Sequence, residues 1–245
     1  MKFYRRLSNI KAISFDLDDT LYGNKPVMKA IEKKMIVYFA SLAAIKGKTS
    51  DPQKVLDHRF WYYFRHQAIL KQPDLAHDVV RVRLVTYRLG FMSLGLSQHI
   101  AEQQAQAALD YFITLRSDFL VPKQSKKLLA NLSRKYPLIA ISNGNVDTKV
   151  LGISHFFQHI YHAGWQADDS LLKQKPAGDM FNLACQQLAI KPSQLLHVGD
   201  CGRADIQGAL RAGCQTAWFS CYDVGRPISV LPHIELNKLN QLEQL

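Results

Sequence analysis

The chain has 245 residues, of which 47% are hydrophobic and 21% charged. This balance is typical of an ordinary globular protein and excludes collagen-like and intrinsically disordered classes. No apolar run approaches the ~18 residues of a membrane-spanning segment, so we expect no membrane partner. The formal net charge of +11 favours anionic partners. Because the basic residues form no Lys/Arg block, they indicate small phosphorylated molecules rather than nucleic acid.

The N-terminal residues 1–15 are basic but contain neither a continuous apolar segment nor a small-residue cleavage site, so we expect no signal peptide. The four cysteines lack CxxC spacing, and their even number is weak evidence for disulfides in a chain of this length. We therefore expect a reduced, cytoplasmic protein. The cysteines are Cys185, Cys201, Cys214 and Cys221.

Short apolar runs bounded by turn residues predict buried strands. Helical patterns alternate with the later strands, and this rhythm predicts βαβ units and an α/β fold with a parallel sheet. The predicted strands are 11–15, 138–142, 195–199 and 215–219, with weaker candidates at 159–162 and, as an edge strand, at 233–236. The predicted helices in this part of the chain are 122–137, 177–189 and 204–212.

Residues 22–118 break this rhythm, because they contain no convincing strand but several helical apolar stripes. One stripe begins at Ile31, and two others begin at Val82 and Ala101. A connection of this length is far longer than an ordinary βα loop. We therefore predict a helical domain at 22–118, inserted into an α/β core made of 1–21 and 119–245. The stripes comprise Ile31, Met35, Tyr38, Leu42 and Ile45; Val82, Val85, Leu89 and Met92; and Ala101, Ala105, Ala108 and Phe112.

Polar residues follow the predicted strands where ligands of open parallel sheets bind, outside the carboxyl ends of the strands. Converging carboxylates without histidine or cysteine favour Mg²⁺, which commonly combines carboxylate and phosphate ligands. A lysine and a hydroxyl can hold phosphoryl oxygens at the same place. The residues concerned are Asp16 and Asp18, Ser142 and Asn143, Lys175, and Asp200 and Asp205.

The charges of such a site suit a phosphate ester. Four aspartates bring four negative charges, and Mg²⁺ with Lys175 offsets three of them. A dianionic ester then requires one carboxyl to be protonated, and a protonated carboxyl is a general acid. A carboxylate nucleophile can form an aspartyl-phosphate, and a second carboxyl two residues away can serve the leaving group and then the attacking water.

These residues resemble the haloacid dehalogenase-like (HAD) phosphohydrolase superfamily, and the resemblance covers the whole predicted core. Four motifs occur in the family's order, each close to a predicted strand. The motifs are DxDxT at Asp16-Leu17-Asp18-Asp19-Thr20, a strand-terminal Ser142, Lys175, and GDxxxxD from Gly199-Asp200 to Asp205.

The resemblance implies a Rossmannoid parallel sheet with a type C1 helical cap, and it implies a role for each motif residue. Asp16 would be the nucleophile and a Mg²⁺ ligand. Asp18 would be the general acid/base and would bind the ion through its carbonyl. Asp200 would bind Mg²⁺ directly, with Asp205 behind it. Three residues would hold phosphate: Ser142, Asn143 and Lys175.

The fourth motif departs slightly from the family's pattern. Ala204 stands where many relatives carry Asn, which affects the placement expected for Asp205.

The stretch FDLDDTLYGN with such a cap is similar to bacterial phosphatases of flavin mononucleotide and of the phosphorylated ribitylamino-pyrimidine intermediate of riboflavin synthesis. A phosphatase or phosphomutase of sugar phosphates remains an alternative, as does a non-catalytic module that binds anions or nucleic acid.

Other conspicuous residues have structural interpretations. Most aromatics of RFWYYFRHQ (residues 59–67) are expected in the core of the cap. Asp19 is expected in a solvated turn, Thr20 in a local hydrogen bond, and His197 in a packed, hydrogen-bonded core position.

Overall fold

The computed structural model describes residues 1–46, 56–167, 170–220 and 229–245. The chain forms two compact units, one made of Met1–Asn24 and Phe119–Leu245 and the other of Lys25–Asp118. Cys221 lies outside the described residues, and the three described cysteines are free thiols. No described helix is both long enough and apolar enough to cross a bilayer.

The first unit, called the α/β unit below, is built on a seven-stranded sheet that is parallel apart from one pair, which confirms the predicted parallel sheet. The strand order is β1-β9-β8-β7-β2-β3-β4, and every pair except β1 with β9 is parallel. The strands are β1 Lys2–Phe3, β2 Ala12–Phe15, β3 Leu138–Ser142, β4 His159–His162, β7 Leu195–Gly199, β8 Gln215–Phe219 and β9 Ile234–Leu236. A separate hairpin pairs β5 Gln166–Ala167 with β6 Ser170–Leu171.

Successive side chains along the strands point to opposite faces of the sheet, so the apolar side chains form two separate cores. Ile13 and Phe15 of β2 pack on one face, with leucines of helix α5, Lys123–Leu132. Ala12 and residues of helix α6, Asp179–Gln187, form the core on the other face. Strands buried on both faces lack a polar side, which explains their continuous apolar sequences.

The sequence predictions miss three features of this unit. The basic N-terminal stretch contains the short strand β1, which pairs with β9, so β9 is not an edge strand. The sequence pattern does not predict the hairpin β5–β6. The predicted helix 204–212 is instead a π-helical turn, Gly202–Gln207, followed by the short helix α7, Gly208–Arg211.

The second unit, called the helical unit below, follows β2 as an insertion, which confirms the predicted cap architecture. Its helices are α1 Asn24–Ser41, α2 His58–Lys71, α3 Val79–Ser93 and α4 Gln98–Arg116. Asp57 begins α2 by accepting hydrogen bonds from two main-chain N–H groups, and Asp78 begins α3 in the same way.

The apolar stripes of α1 and α4 meet in a common core. Phe60 and Trp61 of the aromatic stretch pack against it, whereas Tyr62 and Tyr63 are exposed. The α3 stripe instead packs in a smaller cluster, where Val82, Val85 and Leu89 lie with Ala68 and Leu75. The stripe interpretation is wrong for Met92, which is 40% exposed near the end of α3.

Candidate active site

The strands that follow β2 along the chain lie on both sides of it in the sheet, and this arrangement determines where the candidate site lies. Strands β3 and β7 flank β2 on opposite sides. Their connections leave a crevice at the carboxyl ends of the strands, where α/β proteins bind ligands. Asp16 directly follows β2, Ser142 ends β3, and Asp200 directly follows β7.

Lys175 joins two of the carboxylates. Its Nζ lies 2.7 Å from Asp16 Oδ1 and 2.6 Å from Asp205 Oδ1, and it donates to the carbonyl of Ile141 at 2.6 Å. These three acceptors match the three N–H donors of an ammonium group. The Lys175 side chain is only 1% exposed, so the pairing with the carboxylates compensates for the loss of its hydration.

Asp205 is held from several sides. Its Oδ2 accepts the main-chain N–H of Cys201 at 2.8 Å, and its Oδ1 lies 3.2 Å from His197 Nε2. A Cβ at Gly199 would lie 2.3 Å from Asp205 Cγ, so only glycine at that position admits the carboxylate. Ala204 therefore does not prevent Asp205 from reaching the cluster.

His197 occupies the packed core position that the sequence predicts. Its Nδ1 lies 2.9 Å from Ser14 Oγ on the adjacent strand. Burial lowers the pKa of His197, which favours the neutral imidazole. Because a carboxylate can only accept, Nε2 carries the proton that is shared with Asp205, and Nδ1 accepts from Ser14.

Asp200 is fixed by two contacts that the sequence does not reveal. The Thr20 hydroxyl donates to Asp200 Oδ1 at 3.1 Å, and the Trp218 indole N–H donates to the Asp200 carbonyl at 2.8 Å. The local hydrogen bond predicted for Thr20 is made by its main chain, whose N–H donates to the Leu17 carbonyl at 3.3 Å, whereas its hydroxyl binds Asp200. The threonine reaches across to the fourth motif and ties it to the first.

Asp18 is partly buried, whereas Asp16 is buried. Asp19 has a φ of 56° and its carboxylate accepts the N–H of Asn24 at 2.7 Å. This is the turn role expected of Asp19, although its side chain is partly buried.

Ser142 and Asn143 differ in what their side chains hold. The Ser142 hydroxyl oxygen accepts the N–H of Gly144 at 3.0 Å, so its own proton stays available as a donor. The Asn143 amide donates to the Lys175 carbonyl at 2.9 Å and accepts the Lys175 N–H at 2.7 Å. In this structure Asn143 therefore positions the lysine backbone.

The buried charges shift one another's pKa values. Burial, reinforced by the charge of Asp205, raises the pKa of Asp200 to about 7. Burial and the neighbouring aspartates raise that of Asp16, against the opposing charge of Lys175. Burial alone would lower the Lys175 pKa, but Asp16 and Asp205 outweigh it and raise that pKa. Burial alone would raise the Asp205 pKa, but Lys175 together with His197 outweighs it and lowers that pKa.

The carboxylates fit a hard divalent cation. Asp16, Asp200 and Asp205 each offer one oxygen, and these oxygens lie within 4.8 Å of one another. An all-oxygen donor set suits Mg²⁺ better than softer metals. Burial raises the pKa of Asp200, and a bound cation would favour its ionised form.

The fold and the site together define an α/β enzyme whose carboxylate cluster suits nucleophilic and metal-assisted chemistry. Residues 10–213 match the family model described as haloacid dehalogenase-like hydrolase. The chain is 33% identical to 5-amino-6-(5-phospho-D-ribitylamino)uracil phosphatase YigB of Escherichia coli K12, covering 100% of both proteins. This chain therefore belongs to the haloacid dehalogenase-like hydrolase family.

Other known proteins also match almost the whole chain. The N-acylneuraminate-9-phosphatase of Rattus norvegicus is 29% identical, covering 98% of this chain and 94% of that protein. The crystal structure of a 2-haloacid dehalogenase from Pseudomonas syringae pv. Tomato DC3000 superposes with a TM-score of 0.84 at 25% identity. It covers 96% of this chain and 97% of that one. Bacillus subtilis YfnB, crystallised with magnesium, shares the fold with a TM-score of 0.63 at 18% identity, covering 97% of this chain and 98% of that one.

Proposed function

We propose that this HAD-type phosphatase is Mg²⁺-dependent and hydrolyses a phosphate monoester of a small metabolite through a phosphorylated Asp16. The observation that carries the proposal is the buried bridge of Lys175 between Asp16 and Asp205. A lysine in this place orients the nucleophile and offers positive charge to a phosphoryl group.

Asp16 would attack the phosphorus while the bond to the ester oxygen breaks. Lys175 holds Asp16 Oδ1 and thereby fixes the orientation of the carboxylate. Asp18 would give its proton to the departing alkoxide. It would then take a proton from water, whose oxygen attacks the phosphorus and releases inorganic phosphate and free Asp16.

The remaining residues of the site would bind rather than react. The Ser142 hydroxyl would donate to a phosphoryl oxygen, with Lys175 as its charged partner. Asn143 would contribute by keeping the Lys175 backbone in place. Mg²⁺ would be held by Asp16, the Asp18 carbonyl, Asp200 and Asp205. When bound, the ion would neutralise negative charge on the ester oxygens.

For the substrate we propose flavin mononucleotide or the phosphorylated ribitylamino-pyrimidine of riboflavin synthesis. The support is the full-length similarity to a phosphatase named for the second compound. Sugar phosphates remain the alternative, since other relatives are named for the phosphates of small sugars and acids.

Dehalogenation is a second candidate because a named dehalogenase shares the fold closely. The arrangement of carboxylates favours phosphoryl transfer. Displacing a halide requires no acid for the leaving group, whereas Asp18 supplies one, and the three clustered carboxylates suit a cation.

The test is release of inorganic phosphate with Mg²⁺ and with EDTA. The substrates are flavin mononucleotide, sugar phosphates, nucleotides and p-nitrophenyl phosphate, with 2-chloropropionate assayed for chloride. We expect Mg²⁺-dependent phosphate release that favours flavin mononucleotide and no chloride release.

Asp16→Asn is the blank in every assay. Activity confined to sugar phosphates would retain the mechanism and reject the flavin assignment. Chloride release without phosphate release would reject the phosphatase mechanism, and salt-sensitive DNA binding without turnover would indicate a binding module.

A further inference from the structure

The loop that begins at the end of β3, residues 142–144, is held from two sides, and the proposed reaction uses only the first. On that side the Asn143 amide exchanges hydrogen bonds with the Lys175 main chain. On the other side the Gly144 carbonyl lies 2.7 Å from Nδ1 of His162, the last residue of β4. No sequence motif includes His162, and the proposed reaction gives it no role.

The hydrogen bond between His162 and Gly144 has a fixed direction. A carbonyl oxygen can only accept, so His162 Nδ1 carries a proton and donates it to the Gly144 carbonyl. The same glycine donates its N–H to the Ser142 hydroxyl oxygen at 3.0 Å. The peptide group before Gly144 is therefore held by Ser142 and the one after it by His162, which makes a continuous chain from His162 to Ser142.

The pairing of β3 with β4 places His162 beside Ser142. The two residues are partners in the parallel register, and the Ala163 N–H donates to the Ser142 carbonyl at 3.0 Å. Neighbouring strands lie about 4.8 Å apart, so an imidazole at the end of β4 can span the distance to a residue just beyond β3. The sheet therefore fixes where the His162 donor meets the loop 142–144.

The imidazole of His162 is shielded from water. His162 is only 3% exposed, and the indole of Trp165 packs against its ring with the centroids 4.7 Å apart. A hydrogen bond shielded from water is electrostatically stronger than an exposed one. Because the ring is held between Trp165 and the loop 142–144, His162 is a firm anchor for that loop.

We infer that His162 is a positioning residue of the phosphate site. By holding the Gly144 carbonyl, it keeps the Gly144 N–H on the Ser142 hydroxyl oxygen. With its oxygen occupied in this way, the hydroxyl directs its own proton towards a phosphoryl oxygen of the substrate. The inference rests on the proposed function, because Ser142 binds phosphate there. His162 acts through the loop 142–144 and is assigned no contact with the substrate.

Two substitutions separate positioning from packing, because the two roles predict opposite orders. His162→Phe keeps an aromatic ring against Trp165 but removes the donor, whereas His162→Asn loses the ring but keeps an N–H donor close to the place of Nδ1. The measurements are calorimetric binding of inorganic phosphate with Mg²⁺ and kcat/KM for p-nitrophenyl phosphate. We expect His162→Phe to weaken both about 10-fold, the loss expected for one hydrogen bond, and His162→Asn to stay within about 3-fold of the wild type.

A double-mutant cycle with Ser142→Ala tests whether His162 acts through Ser142. In the Ser142→Ala background, His162→Phe should change phosphate binding and kcat/KM by less than about 2-fold, because the group that it positions is gone. A merely structural effect would keep its full size there. The matched control is His159→Phe, the same substitution at the other end of β4, beside Ile139, and it should behave like the wild type.

The inference is overturned if folded His162→Phe matches the wild type, if His162→Asn loses more than His162→Phe, or if the effect of His162→Phe is undiminished beside Ser142→Ala. Circular dichroism checks the fold, and His162→Leu, which also lacks the donor, replaces His162→Phe if that variant does not fold.

The two measurements separate this failure from that of the proposed function. Turnover of p-nitrophenyl phosphate that does not depend on His162 rejects only the positioning role. Phosphate binding that depends on His162, without turnover of any ester, supports the positioning role and rejects the phosphatase. A wild type that neither binds phosphate nor hydrolyses an ester rejects both.

Discussion

The α/β unit and the helical unit use their buried polar groups in opposite ways. In the α/β unit the charges pair with one another, since the Lys175 ammonium has three acceptors and Asp205 binds three partners. In the helical unit the Trp61 N–H is buried and has no partner among the described residues. A cluster of paired charges suits a preorganised reaction, whereas an unpaired buried donor costs stability.

The largest effect should come from Asp16→Asn. The amide cannot act as the nucleophile, so phosphate release should fall by at least about 10⁴-fold. Asp19→Asn is the matched control, because Asn tolerates the positive φ of Asp19 and can still accept the Asn24 N–H. It should retain activity within about 10-fold, measured as phosphate release from p-nitrophenyl phosphate. Equal losses in the two variants would contradict the assignment of Asp16.

Two glycine substitutions sharpen the comparison of the units. Gly199→Ala places a Cβ 2.3 Å from Asp205 Cγ, and Gly90→Ala places one 2.4 Å from Trp61 Cζ3. Both should destabilise the protein by about 1–3 kcal/mol in urea unfolding. Only Gly199→Ala should also reduce phosphate release from p-nitrophenyl phosphate, by about 100-fold, because it displaces Asp205. A comparable loss of activity in Gly90→Ala would contradict the separate roles of the units.

The raised pKa of Asp200 predicts a pH dependence of stability. Its pKa is about 7 in the folded, metal-free protein and about 3.9 when unfolded, so the folded state binds more protons between these values. The contribution of Asp200 to stability is therefore complete below about pH 4 and is lost as the pH rises through about 7.

The measurement is the Tm in EDTA from pH 4 to 8, for the wild type and for Asp200→Asn. Burial lowers the His197 pKa, so this group acts in the opposite direction, and the test is the difference between the two proteins. The Tm of the wild type relative to the variant should fall with increasing pH. Added Mg²⁺ should stabilise the wild type more at pH 8 than at pH 6, and a gain independent of pH would count against the site.

A smaller effect is expected at His197. Phenylalanine keeps a ring there but removes the partner of the Ser14 hydroxyl and one of the three partners of Asp205, so His197→Phe should destabilise the protein by about 1–3 kcal/mol. Ser14→Ala removes only one of these hydrogen bonds and should lose about 1 kcal/mol or less. Urea unfolding measures both variants, and equal stabilities would argue against the contact with Asp205.

The sequence predicts the fold of the α/β unit well because buried parallel strands are continuous apolar runs. It also predicts that Asp16 and Asp200 lie close together, because the carboxyl ends of parallel strands meet at one edge. It does not predict the hydrogen bond from Thr20 to Asp200, which joins residues 180 positions apart. The helical unit also contains a cavity of about 640 Å³, which escapes prediction because it depends on how side chains such as Trp61 and Arg83 pack between helices.

The most direct test of the central claim is an acid quench of the protein during turnover of a ³²P-labelled phosphate monoester with Mg²⁺. We expect a hydroxylamine-sensitive ³²P label on the peptide that contains Asp16. The label should be absent in EDTA and in Asp16→Asn, and it should be enriched in Asp18→Asn. Rapid Mg²⁺-dependent turnover with no label on that peptide, together with an active Asp16→Asn variant, would contradict the claim.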